Sequence, residues 1–129
     1  MAMIAFAAPI LPGRTEEARR VSQEIQGTRR NQYEQSRQRL GITKEYTWIQ
    51  ETPQGALAIV FVEAENLEHA FQGLGASQDP FDVWFRSQVQ NIYGLDLRQP
   101  GQIPEPLSAW EASSSRGTLG GEEWQEGDI

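Results

Sequence analysis

The stretch ALAIVFVE, residues 56–63, restricts the possible folds of this chain more than any other segment. It has the length and composition of a β-strand, and successive side chains of a strand point to opposite faces. Both faces are apolar: Leu57, Ile59 and Phe61 lie on one, and Ala58, Val60 and Val62 lie on the other. If helices cover only one side of the sheet, the other side exposes an apolar patch of the kind that marks an interface. We therefore expect this sheet to pack against another sheet, as it would in a symmetric homodimer.

The segments before this strand predict a strand, a long helix and a hairpin. Residues 3–10 alternate large and small apolar side chains, as a strand does, and residues 15–40 have a helical composition with an interruption at Gly27. The TPQG stretch at 52–55 has proline and glycine at positions that a tight turn favours, so it joins two strands. The predicted order up to this point is β, α, β, β.

Two further helical segments and a fourth strand complete the predicted topology. Asn66 begins a short helix, and Asp79 begins a second one, which has proline at its first position and ends at Gly94. The fourth strand has two candidates, residues 95–99 and residues 106–112. We favour the second because the prolines between them are typical of an extended connector.

These elements predict an α+β fold, a ferredoxin-like βαββαβ arrangement with an antiparallel sheet that forms a dimeric α/β-barrel. The predicted domain spans residues 1–112. Residues 113–129 have the Gly, Ser and Glu content of a polar, mobile C-terminal tail. A chain of 129 residues is a single domain of common size, so we expect no second full domain.

The composition excludes several functional classes. The chain has no cysteine, which excludes disulfides, thiolate zinc sites and cysteine nucleophiles and favours a cytoplasmic location. The net charge of −7 argues against nucleic-acid binding, although eight of the eleven basic residues fall within residues 1–50. An RNA-recognition module shares the predicted element order, but the third strand has only Phe61 for base stacking and no basic residue. The apolar N-terminus lacks a preceding basic region and is soon interrupted by proline and glycine, so we expect neither a signal peptide nor a membrane span.

Metal and nucleotide sites are not supported by the residue types. The single histidine, His69, lies opposite the apolar stripe of the short helix, so we expect it at the surface. Only carboxylates then remain as metal ligands, and we predict neither a metal nor another cofactor. The glycines of QGLGAS, residues 72–77, end a helix instead of opening one, unlike those of a dinucleotide-binding loop.

The second half of the long helix is polar, and its orientation has two interpretations. In the first, the apolar stripe of the helix continues in phase through Arg29 and Ser36, with Tyr33 beside it, so that polar side chains face a cavity or solvent. In the second, the glycine bends the helix, and Arg30, Tyr33 and Arg37 face inward instead.

The aromatic-rich helix adds further candidates for a site. Trp84 flanks its apolar stripe, and Gln88 lies within the stripe, where its amide needs a neighbour, a water or a ligand as a hydrogen-bond partner. We predict a small-molecule pocket between sheet and helices. Its candidate lining residues are Arg29, Arg30, Tyr33, Ser36, Trp48, Trp84 and Gln88. The alternative is that these side chains simply fill the core.

Three stretches carry a resemblance to a known group: GTRRNQYEQSRQRLGIT, YTWIQETPQGALAIVFVE and DPFDVWFRSQVQNIYGLDL. Together they resemble an uncharacterised bacterial family of the dimeric α/β-barrel superfamily. The resemblance covers most of the predicted domain and implies a homodimer. The wider superfamily includes cofactor-free antibiotic-biosynthesis monooxygenases, heme-degrading enzymes, isomerases and regulators, so the fold alone implies no single activity.

The resulting hypothesis is a homodimer with a small-molecule pocket. If the protein is an enzyme, the resemblance implies cofactor-independent oxidation or rearrangement of an aromatic or polyketide-like compound. Trp48 and Trp84 would then hold the ring. Tyr33, with Arg30 or Arg29, would polarise an oxygen atom. The alternative is a non-catalytic dimerisation or regulatory module.

Overall fold

A computed structural model describes residues 1–99, 101 and 103–112 of the chain. The predicted α+β class is confirmed, and the elements in chain order are β1 (Ala2–Pro9), α1 (Thr15–Gln26), α2 (Arg30–Leu40), β2 (Ile42–Thr52), β3 (Gly55–Ala64), α3 (Leu67–Ala76) and α4 (Pro80–Tyr93). The predicted interruption at Gly27 divides the long helix into α1 and α2, because its N–H bonds back to the Glu24 carbonyl and its ψ of −100° leaves the helical range.

The starts of α3 and α4 and the end of α4 follow the predicted local chemistry, whereas the starts of α1 and α2 have no capping side chain. The Asp79 side chain accepts a hydrogen bond from the Phe81 N–H at 2.9 Å, and Pro80 opens α4. In the same way the Asn66 side chain accepts from the His69 N–H at the start of α3. α4 ends at Gly94, whose φ of 72° is a left-handed conformation that glycine adopts without strain.

The sheet has three antiparallel strands in the order β1-β3-β2. Val60, at the centre of β3, pairs with Phe6 of β1 and with Thr47 of β2. This order is compatible with a ferredoxin-like sheet, in which a fourth strand would lie beside β1. Within the described residues, the outer edge of β1 carries no strand.

The prediction of a fourth strand over residues 106–112 is wrong for the single chain. These residues form no strand, and the side chains of Leu107 and Trp110 are 94% and 85% exposed. The other candidate, residues 95–99, forms a turn in which the Gln99 N–H bonds to the Asp96 carbonyl. The predicted tail over 113–129 lies outside the described residues.

The chain after α4 is directed away from β1 by its packing on the helices. Leu97 packs against the buried cluster that contains Leu74 of α3. The Leu97 carbonyl lies so close to Gly75 that residue 75 has no room for a side chain. Pro106 also lacks the N–H that a ladder hydrogen bond requires. Together these features explain why the segment does not extend along the edge of β1.

All four helices pack on one face of the sheet. At one end Ala56 meets Ala18 and Val21 of α1 and Ile92 of α4. At the other end Ala64 meets helices α2 and α3, through the side chains of Leu40, Ala70 and Leu74. The interior between sheet and helices therefore contains small side chains of β3, such as Ala56, Ala58 and Ala64, together with larger ones from the sheet, such as Ile49 and Val62, and from the helices.

The opposite side of the sheet, which we call the open face, carries no helix among the described residues. The registers place on it the apolar residues Met3, Ala5, Ala7, Pro9, Tyr46, Trp48, Leu57, Ile59 and Phe61, and the polar residues Lys44, Gln50 and Glu63 towards its ends. Its most exposed large side chains are Met3 at 44%, Tyr46 at 44% and Trp48 at 49%. The sequence expectation that β3 is apolar on both faces, with only one covered by helices, is thus confirmed in the described part of the chain.

The close approach of residue 75 to the segment after α4 yields a stability prediction. A Cβ atom at Gly75 would lie 2.5 Å from the Leu97 carbonyl oxygen, which is backbone and has little room to move. Overpacking of this kind destabilises a fold by about 1–3 kcal/mol. This cost exceeds the gain in helix propensity when alanine replaces glycine. We expect Gly75→Ala to lower the free energy of unfolding by about 1 kcal/mol in urea titrations.

The control for this substitution is Gly101→Ala. A Cβ atom there would meet no described heavy atom within 4 Å. We expect its unfolding midpoint to match that of the unmodified chain. Equal stability of the two alanine variants would contradict the tight packing of Leu97 on α3.

Candidate functional site

The observed orientation of α2 combines features of both interpretations of the polar half of the long helix. Ser36, Arg37 and Leu40 are buried, and Tyr33 is partly buried above them, so the inward stripe contains residues from each interpretation. Arg30 is 55% exposed in its side chain and pairs with Glu34 at 3.0 Å on the outer surface. The structure therefore leaves Arg30 out of the site.

Asp82 of α4 is the centre of a buried hydrogen-bond network that sequence reasoning did not assign to the site. Its carboxylate is fully buried and accepts hydrogen bonds from Ser36 Oγ at 2.5 Å, Ser77 Oγ at 2.6 Å and Arg39 Nη2 at 2.9 Å. We call Ser36, Arg39, Ser77 and Asp82 the Asp82 network. It joins α2 to α4 and to the loop before α4.

The ionisation of Asp82 is set by two opposing effects. Burial disfavours its charged form, but the hydrogen bonds from Ser36, Ser77 and Arg39, together with the Arg39 charge, outweigh burial and lower the pKa of the carboxyl group. The carboxylate therefore stays charged at neutral pH. Because it already accepts from three donors, we assign it a structural role in holding α2 against α4.

Arg37 forms a second cluster with Glu45 of β2 and Tyr33. The Arg37 side chain is only 8% exposed, and its Nε donates to Glu45 Oε1 at 2.8 Å. Its guanidinium also lies over the rings of Tyr33 and Phe85, at 4.8 and 4.5 Å from their centres. The signal available in the sequence was the second phase of α2, which places Arg37 inward; nothing in the sequence indicated Glu45 as its partner.

Tyr33 is occupied by this cluster. Its hydroxyl donates to Glu45 Oε1 at 3.1 Å, and its ring meets Phe81 edge-on at 6.3 Å. Burial, and then the negative charge of Glu45, raise the pKa of Tyr33. The hydroxyl is therefore a protonated structural donor, and its proton is already directed at Glu45.

A third group, which we call the Trp84 corner, consists of Arg29, Trp84 and Gln88. The Arg29 guanidinium lies 4.0 Å from the centre of the Trp84 ring, and Gln88 is one helical turn after Trp84 on α4. Arg29 Nε and Gln88 Oε1 are buried atoms without a hydrogen-bond partner among the described residues. Buried polar atoms of this kind call for a water or a ligand.

The break between α1 and α2 creates this corner. The Arg29 N–H bonds to the Glu24 carbonyl at 2.8 Å, which turns the chain sharply before α2 begins. Trp84 of α4 and Ile25 of α1 both pack against the buried cluster that contains Val21 and Ile92. Arg29 is thereby held between the end of α1 and the side of α4.

The structure does not bring Trp48 to the other predicted site residues. Trp48 lies on the open face beside Tyr46, with ring centres 6.0 Å apart, whereas Trp84 lies among the helices on the other side of the sheet. The sequence expectation that both tryptophans flank one space is therefore wrong. The physical reason is strand alternation: Ile49, the neighbour of Trp48, faces the helices instead.

Other kinds of site are not indicated in the part of the chain that the structure describes. There, no group of three or more His, Asp or Glu side chains is arranged to hold a metal ion. His69 is exposed on α3, as its position opposite the apolar stripe predicts. In the same residues, no helix has the length and apolar character needed to cross a membrane.

Comparison of the chain with protein-family models, with curated proteins and with solved structures found no match.

The Asp82 network yields a prediction that depends on pH. The pKa of Asp82 is lowered in the folded protein, so its ionisation stabilises the fold above the unfolded pKa of about 3.9, and this stabilisation is lost as pH falls through the folded value. Asp82→Asn weakens three hydrogen bonds to a charged acceptor. We expect it to lower the free energy of unfolding by about 2–3 kcal/mol at pH 7.

The pH profile of that difference distinguishes a charged from a neutral Asp82. Urea titrations between pH 7 and pH 3, at one protein concentration, measure the difference in free energy of unfolding between the unmodified chain and Asp82→Asn. This difference should be constant down to about pH 4 and smaller below it. The control is Glu34→Gln, the same change in an exposed pair on α2, which should alter stability by less than about 0.5 kcal/mol. A gap that grows on acidification would contradict the assigned direction of the pKa.

Proposed function

We propose that this chain is a homodimer in which the open faces of two sheets pack on each other, as in a dimeric α/β-barrel of ferredoxin-like protomers, and that each protomer binds a small molecule at the Trp84 corner. The open face is the observation that carries the proposal. Three large apolar side chains on it are about half exposed, and they adjoin Leu57, Ile59 and Phe61 on β3. A monomer of this size rarely exposes so continuous an apolar sheet surface.

The chemistry of the open face suits self-association. Tyr46 stacks on Phe61 and lies beside Trp48, with ring centres 6.0 Å apart in both pairs. Aromatic side chains bury large apolar areas, and Tyr and Trp are common in interface cores. Because a two-fold axis presents the same patch on both partners, the aromatic row of β2 and the alanine row of β1 can interdigitate across the interface.

Small-molecule binding is supported by the Trp84 corner and by no other predicted pocket residue. Ser36 and Tyr33 already donate their hydroxyl protons within the protein, and Arg30 points to the outside. Arg29 and Gln88, in contrast, retain buried atoms without partners among the described residues. The proposed site is therefore smaller than the pocket expected from the sequence and lies against α4.

The reaction, if there is one, rests on the resemblance to the dimeric α/β-barrel superfamily. That resemblance favours cofactor-independent oxidation or rearrangement of an aromatic or polyketide-like compound. In this geometry only Arg29, of the residues expected to polarise an oxygen, lies in the proposed site. The contacts of the described residues thus support binding more directly than they support catalysis.

A non-catalytic dimerisation or regulatory module is the second candidate. It is favoured by the Asp82 network and the Arg37 cluster, in which every polar side chain has a partner inside the protein. Such saturation is typical of a structural polar core. Under this alternative the Trp84 corner would hold only water.

The dimer is tested by placing a charge on the open face. Trp48→Asp adds a carboxylate to the centre of the proposed interface while leaving the helix side of the sheet untouched, so the protomer should stay folded and the pair should dissociate. Light scattering at micromolar concentration should give twice the chain mass of 14.5 kDa for the unmodified protein and the single mass for the variant.

Val83→Asp is the matched control. Val83 is also an apolar residue exposed by 42%, but it lies on α4, away from the open face. Its variant should remain a dimer, with circular dichroism confirming the fold of both proteins. A monomeric unmodified chain, or dissociation of both variants alike, would refute association through the open face.

A further inference from the structure

The two edges of the sheet differ in how they are protected from pairing with another chain. β2 carries the charged residues Lys44, Glu45 and Glu51, and its register with β3 shifts between Ile42 and Lys44. Charged side chains and irregular registers are features by which natural edge strands avoid further pairing. β1 has no charged side chain, it pairs with β3 without a shift, and its one proline, Pro9, is its last residue. Its outer edge, which carries no strand among the described residues, is therefore a template for one more strand.

Residues 107–112 present apolar side chains that their own chain does not cover. Leu107 is 94% exposed and Trp110 is 85% exposed, more than any other large apolar side chain of the described residues. The segment contains no proline, and Pro106 precedes it at a position where a missing N–H does not interrupt a ladder. The packing of Leu97 on α3 directs the segment away from β1 of the same molecule. An open edge and an unpaired apolar segment thus occur on one chain without being joined within it.

The side chains of this segment fit the two sides of β1. In a strand, Trp110 and Leu107 point to opposite faces. On the open face, β1 carries Ala5 and Ala7, whose small side chains leave room for an indole on the neighbouring strand. On the helix side, the partly buried ring of Phe6 offers an apolar neighbour for Leu107. With Trp110 on the open face, the added strand extends the apolar surface that the proposed dimer buries.

We propose that residues 107–112 of each chain form a strand on the outer edge of β1 in a second copy, so that the two chains of the dimer exchange these strands. This inference rests on the proposed homodimer and names a contact that completes its sheets. In such strand addition the main-chain hydrogen bonds supply affinity, and alternate side chains supply the fit. A two-fold axis makes the exchange reciprocal, so both edges and both segments are paired in one closed assembly.

Cross-linking shows which molecule the segment contacts. The chain has no cysteine, so introduced thiols are the only ones that react. Two versions of the full chain, Ala5→Cys and Ser108→Cys, are given different affinity tags, co-expressed and treated with a short bismaleimide. They should give a mixed product of twice the chain mass on a denaturing gel. Because each version carries a single thiol, this product can form only between two molecules.

Two controls accompany the cross-linking. Ser87→Cys, at an exposed position of α4 outside the sheet, replaces Ala5→Cys and should give little mixed product with Ser108→Cys. The second control combines Ala5→Cys and Ser108→Cys in one chain. A link that closes within that chain and leaves the mass undoubled would show that the segment returns to its own β1 edge, which would overturn the exchange.

A second variant tests the apolar contacts of the added strand. Leu107→Ser combined with Trp110→Ser removes two side chains that are almost wholly exposed in the single chain, so the protomer should stay folded. The Kd of the dimer, measured by analytical ultracentrifugation, should rise at least about tenfold, because both side chains are buried only in the exchanged state. Ile103→Ser is the matched control: Ile103 is also exposed but lies outside the proposed strand, so the Kd should not change.

The outcomes separate this inference from the proposed dimer. A dimer in light scattering that gives no mixed product would overturn the strand exchange and leave association through the open face in place. Mixed product together with a Trp48→Asp variant that stays dimeric would support the exchange and refute the open face as the interface. A monomeric unmodified chain would refute both.

Discussion

The arrangement of this protein depends on the contact between the helices and the small side chains of β3. Ala58 and Ala64 are almost completely buried, and Ala70 of α3 meets the same cluster as Ala64. Small side chains at these positions let the helices approach the sheet closely. The larger residues of β3, Leu57 and Phe61 among them, lie on the opposite face. One choice of strand phase thus produces both the core and the open apolar surface.

Between α2 and α4 the packing combines buried polar contacts with the ring contact of Tyr33 and Phe81. The Asp82 network and the Arg37 cluster bury charges, and buried charges stabilise a fold only when their hydrogen bonds are complete. Here Asp82 and Arg37 have their partners in neighbouring elements. The hydrogen bonds of Ser36 and Arg39 to Asp82 restrict the register of α2 on α4, and those of Arg37 to Glu45 restrict the position of α2 on β2. They also explain why Ser36 and Tyr33 have no free groups for a ligand.

The Trp84 corner differs from this polar seam, because two of its buried polar atoms have no hydrogen-bond partner among the described residues. Arg29 follows the break in the long helix. Its carbonyl accepts a hydrogen bond from the Tyr33 N–H, and its guanidinium stacks on Trp84 and lies 3.6 Å from Glu24 Oε2. The helix break, the contact of Arg29 with Trp84 and the buried Arg29 Nε without a hydrogen-bond partner among the described residues coincide at this point. A site at the junction of two helices can differ in chemistry from the rigid seam beside it, because its geometry is set by the break and not by the network.

Local patterns were sufficient to predict the three strands of the sheet, the helix break at Gly27, the capping of α4 by Asp79 and the two apolar faces of β3, because each depends on neighbours in sequence. The site required distances between segments. Glu45 and Arg37, or Asp82 and Ser36, are far apart in sequence, and no periodicity shows that they meet. Trp48 was assigned to the wrong face because a strand's pattern gives its two faces but not which one the helices cover. The prediction of a fourth strand was wrong for the single chain because Leu97 packs on α3, and this tertiary contact directs the following chain away from β1. The sequence by itself determined the elements, and only the tertiary structure decided which polar groups are satisfied and which remain available for a ligand.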